Sequence, residues 1–285
     1  MALDRAFSTA QHFRAPYVKN DAGSLLYALV SAPTPAVSTY APLKAEPNAI
    51  LERALEQHGV LVRRLEALKV EVASLPAGRS PLATAVADLA IMVAEGAILA
   101  RPTDLTRAAD VGELEALLQQ NNIPIVGRIE APGLLDGGDV LVTDDRIFVG
   151  VPTGSGRYAR RSNELGREQL AALVNLPLVE VPVDAHFPRL RSVASVVDAN
   201  TVVLGGEAVA AAPFDGFELV RLPLGEEYAA GVLTLAPRFV LSSLRFQESP
   251  AILRKAKIRV EAFDLWELGK LGLSPALLAL SLQRR

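Results

Sequence analysis

Between Leu25 and Phe263 the chain repeats one order of segments, strand–strand–helix–strand, about five times, and this periodicity most narrows the folds open to it. The first copy reads as a strand at 25–32, a helix opened by Pro47-Asn48 and carried by Leu51, Leu55, Val62 and Leu65, and a strand at 70–75. The second has strands at 87–93 and 97–100 around Glu95-Gly96, a helix at 111–120 and a strand at 123–129. The third has strands at 139–143 and 146–151, a helix at 163–174 and a strand at 178–183. The fourth offers 194–198, 201–204, a short apolar piece at 208–212, and 217–222; the fifth offers 231–236, 239–242, a helix at 250–256 and a strand at 258–263. A period of roughly 40–50 residues signals radial repetition or an array, because one such unit cannot bury its own apolar face. No linker rich in Pro, Gly or Ser divides the chain. Its 285 residues are therefore expected to form one domain, 1–285, with approximate repeats 24–76, 81–129, 135–183, 189–222 and 229–285. The competing arrangement is an ordinary α/β sandwich.

Composition removes several functions. Half of the residues are hydrophobic, enough for a large core, yet no apolar run approaches the roughly 18–20 residues of a membrane span. The start, Met1-Ala2-Leu3-Asp4-Arg5, has no basic region followed by an apolar block, so a soluble cytoplasmic protein is expected. A net charge of −3 leaves no basic footprint for nucleic acid. The absence of cysteine excludes disulfides, thiolate metal sites and thiol nucleophiles together. The three histidines, His12, His58 and His186, stand in unrelated surroundings, and neither metal nor cofactor is expected. The expected partners are a small-molecule ligand and a second copy of the chain in a homodimer, with no nucleic acid and no membrane.

The most informative segment is Leu135-Asp136-Gly137-Gly138-Asp139-Val140-Leu141, two acids framing two glycines ahead of an apolar strand. Glycine permits backbone conformations closed to other residues and lets a ligand approach closely. Taken alone, the segment reads equally well as a turn opening a hairpin. With Glu56-Gln57-His58, Asp88, the stretch 97–102, Phe148-Val149-Gly150, Arg161-Ser162-Asn163 with Gly166, and Leu190-Arg191-Ser192, all in the same order, the chain resembles the pentein superfamily of guanidine-modifying enzymes. The dimethylarginine dimethylaminohydrolases are its nearest resemblance, over roughly Leu25 to the end. That resemblance implies an α/β fold, a five-bladed, pseudo-fivefold α/β propeller of ββαβ units, which agrees with the repetition.

The resemblance also implies a chemistry: a thiolate attacking the guanidinium carbon, a histidine handling the departing amine's proton, an acid orienting that histidine, and carboxylates gripping the planar guanidinium. The orienting acid falls on Asp136. Of the substrate-holding positions, Asp88 keeps its carboxylate, while two acids are replaced by Leu82 and Ala87. Arg101 and Arg161 fall on arginines kept near the family's site. The histidine position, just before Leu190-Arg191-Ser192, carries Arg189. His186 could substitute only if 187–189 bulge or turn. The cysteine position falls on Leu277 or an immediate neighbour, and nearby Ser274 would need an adjacent base to become nucleophilic. The segment 152–161, with three arginines and a Gly-Ser-Gly, reads as a basic surface loop at the pocket mouth, and Trp266 as a core or interface anchor. The expected function is thus a non-catalytic pentein that binds a ligand or partner. The alternatives are a guanidine hydrolase or amidinotransferase with a non-cysteine nucleophile, and a structural subunit like the non-catalytic ribosome anti-association factor of the same superfamily.

Overall fold

The strands form five three-stranded sheets in residues 13–43 and 46–285, which this computed structural model describes. His12 and residues 1–5 lie outside the described residues. In chain order the elements are β1 (Leu25–Ser31), α1 (Leu51–Ala67) and β2 (Glu71–Leu75); β3 (Ala90–Val93), β4 (Gly96–Leu99), α2 (Ala108–Gln120) and β5 (Ile125–Arg128); β6 (Val140–Val142), β7 (Ile147–Thr153), α3 (Glu164–Leu173) and β8 (Leu178–Asp184). Then follow β9 (Ala194–Asp198), β10 (Thr201–Gly205) and β11 (Glu218–Leu222); β12 (Leu233–Ala236), β13 (Phe239–Ser243), α4 (Ser249–Lys255) and β14 (Arg259–Phe263); and finally α5 (Trp266–Gly269) and β15 (Leu280–Arg284).

Within a sheet, the first two strands pair antiparallel through a tight turn, and the third joins parallel after a crossover. The second strand is always central. The first sheet is completed from the other end of the chain: β15 pairs antiparallel with β1, Leu29 opposite Leu280 and Leu25 opposite Arg284. The two ends of the described fold are thereby stitched into one blade.

The core lies between blades. One cluster joins Leu29, Ala73 and Leu75 of the first sheet to Ala97, Leu99 and Leu114 of the second unit. A second joins Ile91 and Ile98 to Val140, Ile147 and Val149, and a third joins Phe148 and Val181 to Val196, Val202 and Leu204. A fourth joins Val203 and Val220 to Val240 and Leu253, and the last returns from Leu241 and Phe263 to Ala28, Val30, Leu61 and Leu65. The ring of contacts therefore closes, and the five-bladed propeller, rather than the sandwich, is the fold.

Local structure adds to this reading and in places changes it. The helix α1 runs unbroken through Gly59, because its buried face of Ala54, Gln57, His58, Leu61 and Leu65 outweighs a cost of roughly 1 kcal/mol for one glycine. The fourth unit has no α-helix; a short turn at Ala212–Phe214 stands there, and Phe214 and Phe217 cover Phe148 at ring-centroid distances of 4.5 and 5.7 Å. Ala87, Asp88 and Asp139, read as strand, belong instead to single 3₁₀ turns, Val86–Asp88 and Gly137–Asp139, which curl inward just before β3 and β6, and Leu89 joins the first turn to its strand. Among the described residues no helix is long and apolar enough to cross a membrane.

Candidate functional site

Every inner strand is preceded by such a turn: Val86–Asp88, Gly137–Asp139, Leu190–Ser192, Glu227–Ala230 and Pro275–Leu277. The turns pack on one another at one end of the axis. A turn at a strand end frees backbone and side chains from the ladder, so five of them can present polar groups to a common point that no single blade could build.

The group at that point is the guanidinium of Arg189. Its Nε and Nη2 donate to the two oxygens of Asp88 at 2.8 and 3.0 Å, a planar fork, and Nη2 also donates to Asp136 Oδ1 at 3.1 Å. Nη1 donates to the Pro188 carbonyl. Asp136 accepts in addition from the Thr103 hydroxyl at 2.6 Å and the Thr103 amide at 3.1 Å. Leu277 lies against this assembly from the fifth turn. Gly138 shows how tight the packing is. A Cβ there would fall 2.5 Å from Asp88 Oδ1, 2.7 Å from Leu277 Cδ2 and 3.1 Å from Arg189 Cγ. A Cβ on Gly137 would strike the carbonyls of Ala87 and Ala90. Neither glycine has a positive φ, so the Gly-Gly pair serves close packing of the turns and not an unusual backbone conformation.

A second layer holds the first. Arg107 bridges Asp88 (3.2 Å) and Asp110 (3.1 Å). Arg161 faces Asp139 at 3.1 Å, and Asp139 also accepts from the Ser162 hydroxyl at 2.7 Å and the Leu190 amide at 2.8 Å. Three arginines thus meet four aspartates, all buried. Burial pushes the Asp136 carboxyl up to about 6; the negative charges of Asp88 and Asp139 push the same way, and the Arg189 charge opposes them. Those carboxylates hold Arg189 firmly cationic despite its burial.

An aromatic roof formed by Tyr40, Tyr158, Phe187 and Tyr228 lies close enough for the Arg189 charge to act on Tyr158. Tyr158 hydrogen-bonds Tyr40, and burial raises both Tyr158 and Tyr228 above the usual phenol range. Phe187 packs on Tyr228 with ring centroids 5.2 Å apart. Arg157, from the segment 152–161, stacks over Tyr40 at 5.5 Å and reaches the Pro42 carbonyl. Arg157 and Arg160 are exposed as expected of a surface loop, but Arg161, the third arginine of that loop, is turned inward on Asp139.

The geometry thus brings together Asp88, Asp136, Arg189 and Leu277, with Arg161 one layer behind. It leaves the others outside. The His186 side chain is 71% exposed and bonded to Asp184 at 2.7 Å, because the 187–189 stretch carries Arg189, not His186, inward. Arg101 spends its Nη1 on the Gly133 carbonyl at 3.0 Å, clasping the backbone where residues 101 and 135 bridge. Leu82 and Ala87 pack on the apolar cluster that also contains Leu277. Ser274 donates to the Arg191 carbonyl at 3.2 Å, so its hydroxyl proton faces a backbone oxygen and no base. Trp266 is half-exposed beneath Arg245, 4.9 Å from ring centroid to guanidinium, and is not a core residue. Sequence reasoning missed Arg107, Thr103, Asp110 and the tyrosine roof. Asp139 stood in the motif, and its value as the anchor of Arg161 and Leu190 could have been suspected from the paired acids.

No protein-family model matches the chain. The N(G),N(G)-dimethylarginine dimethylaminohydrolase of Pseudomonas aeruginosa is 27% identical over 195 residues, spanning 66% of this chain and 73% of the relative. Human DDAH2 is 30% identical over 200 residues, 67% of either chain. Among solved structures, the Pseudomonas aeruginosa enzyme, as a cysteine-to-serine mutant complexed with citrulline, superposes with a TM-score of 0.80 at 23% identity, over 90% of this chain and 99% of that one.

Proposed function

The chain belongs to the dimethylarginine dimethylaminohydrolase family of the pentein superfamily, and from that premise we propose that it is a member that does not hydrolyse guanidines and acts by binding. One observation carries this reading: the carboxylates Asp88 and Asp136 already grip a guanidinium, and it belongs to the chain itself. A free arginine-like ligand would have to displace Arg189 from a bidentate, buried pair. Displacement would leave that charge without its partners, at a cost of several kcal/mol.

The remaining groups point the same way. A hydrocarbon stands at Leu277 where the resemblance implies the thiolate, and no hydroxyl near it has a base in reach. Asp136 lies beside Arg189 and has no imidazole to orient. Its proton, taken up near pH 6, has no leaving amine to serve. Leu82 and Ala87 supply no further charge for a cation. In this reading the polar cluster is a structural hub, and recognition of a ligand or partner takes place elsewhere on the propeller.

The test is a discontinuous citrulline assay on the pure, untagged chain with arginine, monomethylarginine and dimethylarginine as substrates. The expected result is no product above the buffer control over many hours, and no change of melting temperature with millimolar arginine. Repeated turnover that survives a second, orthogonal purification would overturn the proposal.

A further inference from the structure

Another buried guanidinium, apart from that cluster, lies at the far end of β15. Arg284 is 5% exposed, yet no carboxylate touches it. Its Nη1 donates to two backbone carbonyls, Gly23 at 2.7 Å and Thr234 at 2.8 Å. Its Nε is buried and has no acceptor among the described residues, and Nη2 makes no bond there either. The nearest acid, Asp21, is committed: it binds Arg191 at 2.6 Å and accepts from the Val142 amide at 2.9 Å.

Arg284 lines an open pocket of about 520 Å³ at the hairpin-turn end of the propeller. Arg14, Lys19 and Arg285 add basic side chains to the same wall. The two acids present are both engaged, Asp144 by the Asn20 amide at 2.7 Å and Asp198 by Arg238 at 2.5 Å. The two carbonyls on Nη1 fix the plane of the guanidinium. Nε is sealed from solvent, so Nη2 is the donor that remains for an oxyanion in the pocket, through a charge-assisted hydrogen bond. A buried cation with most of its donors unspent is costly unless something meets it.

We infer that this pocket is a binding site for a small oxyanion, a ligand bearing a carboxylate or phosphate group, with Arg284 as the buried anchor and Arg14 and Lys19 as rim charges. A pocket of this size holds a metabolite and not merely an ion. Burial lowers the Arg284 pKa to about 10, which still leaves it charged at neutral pH. The site is independent of the fate of guanidine hydrolysis. It lies at the other end of the axis from Asp88 and Arg189, and nothing in its lining belongs to that cluster.

The experiment is a calorimetric and thermal-shift titration of the full chain with inorganic phosphate, citrate and glutamate, at ionic strength held constant with chloride. Saturable binding of at least one of these probes is expected. Arg284→Met should weaken it on the order of 10- to 100-fold, the loss of a charge-assisted hydrogen bond. Since Arg284 is interior, the paired variant Lys19→Ala with Arg14→Ala is measured too; both residues sit at the pocket rim, and this variant should weaken binding severalfold with an unchanged circular-dichroism spectrum. Arg254→Ala, a helix residue outside the pocket, should bind as the parent does. Absence of saturable binding by all three probes would overturn the site, as would equal weakening by Arg254→Ala or undiminished binding by Arg284→Met.

Discussion

Two arginines buried at opposite ends of one propeller axis meet opposite fates. Arg189 is held by two aspartates and a second layer of charge behind them; Arg284 has only two carbonyls. The same side chain therefore acts as the keystone of a neutralised cluster at one end and as an unfilled cation at the other. The difference lies in the backbone. The five turns bring carboxylates from separate blades to one point. The hairpin ends keep their acids on partners other than Arg284, Asp144 on Asn20 and Asp198 on Arg238. Burial alone does not say what a charge is for; its partners do.

The comparison breaks most visibly at Arg189. Replacing it by Met strands Asp88 and Asp136 in the interior, and urea unfolding should show a loss of about 3–5 kcal/mol, the usual cost of removing one member of a buried pair. A loss below about 1 kcal/mol would mean that the cluster is not a hub.

Asp136 gives the next largest effect, and it depends on pH. Its folded pKa, about 6, lies above the ordinary aspartate value of 3.8. The folded state therefore binds the proton more tightly than the unfolded state. The resulting stability is fully present below the unfolded pKa and is lost as pH rises through about 6. Asp136→Asn cannot titrate. The parent should thus gain on the variant by on the order of 2–3 kcal/mol as pH falls from 7 to 4, read from paired denaturation curves. A difference independent of pH would show that burial does not govern this carboxyl.

The smallest effect is expected at Arg284. Without anionic partners to strand, Arg284→Met should cost only about 1–2 kcal/mol for the two abandoned carbonyls. A loss as large as that of Arg189→Met would erase the contrast between the two ends.

Much of the architecture was legible beforehand. Alternating and continuous apolar segments predict strands wherever a side chain must face a neighbouring blade, and the recurrence of the unit predicts closure about an axis. The five 3₁₀ turns were not legible, because three or four residues are too few to carry a period; Ala87 and Asp88 read as the start of the strand that follows. In the same way Arg189 could be aligned with a lost histidine, but nothing local said that its guanidinium would turn onto an aspartate 101 residues away.

The amino-acid order by itself determined the repeat, the absence of any thiol and the place of the acidic glycine motif, since composition and spacing are properties of the linear chain. Tertiary structure alone decided which charges meet. Asp88, Asp136, Arg189 and Leu277 come from different repeats, and the distances between them depend on how the blades close. Electrostatic energy depends on separation and burial, quantities that exist only once the chain has folded.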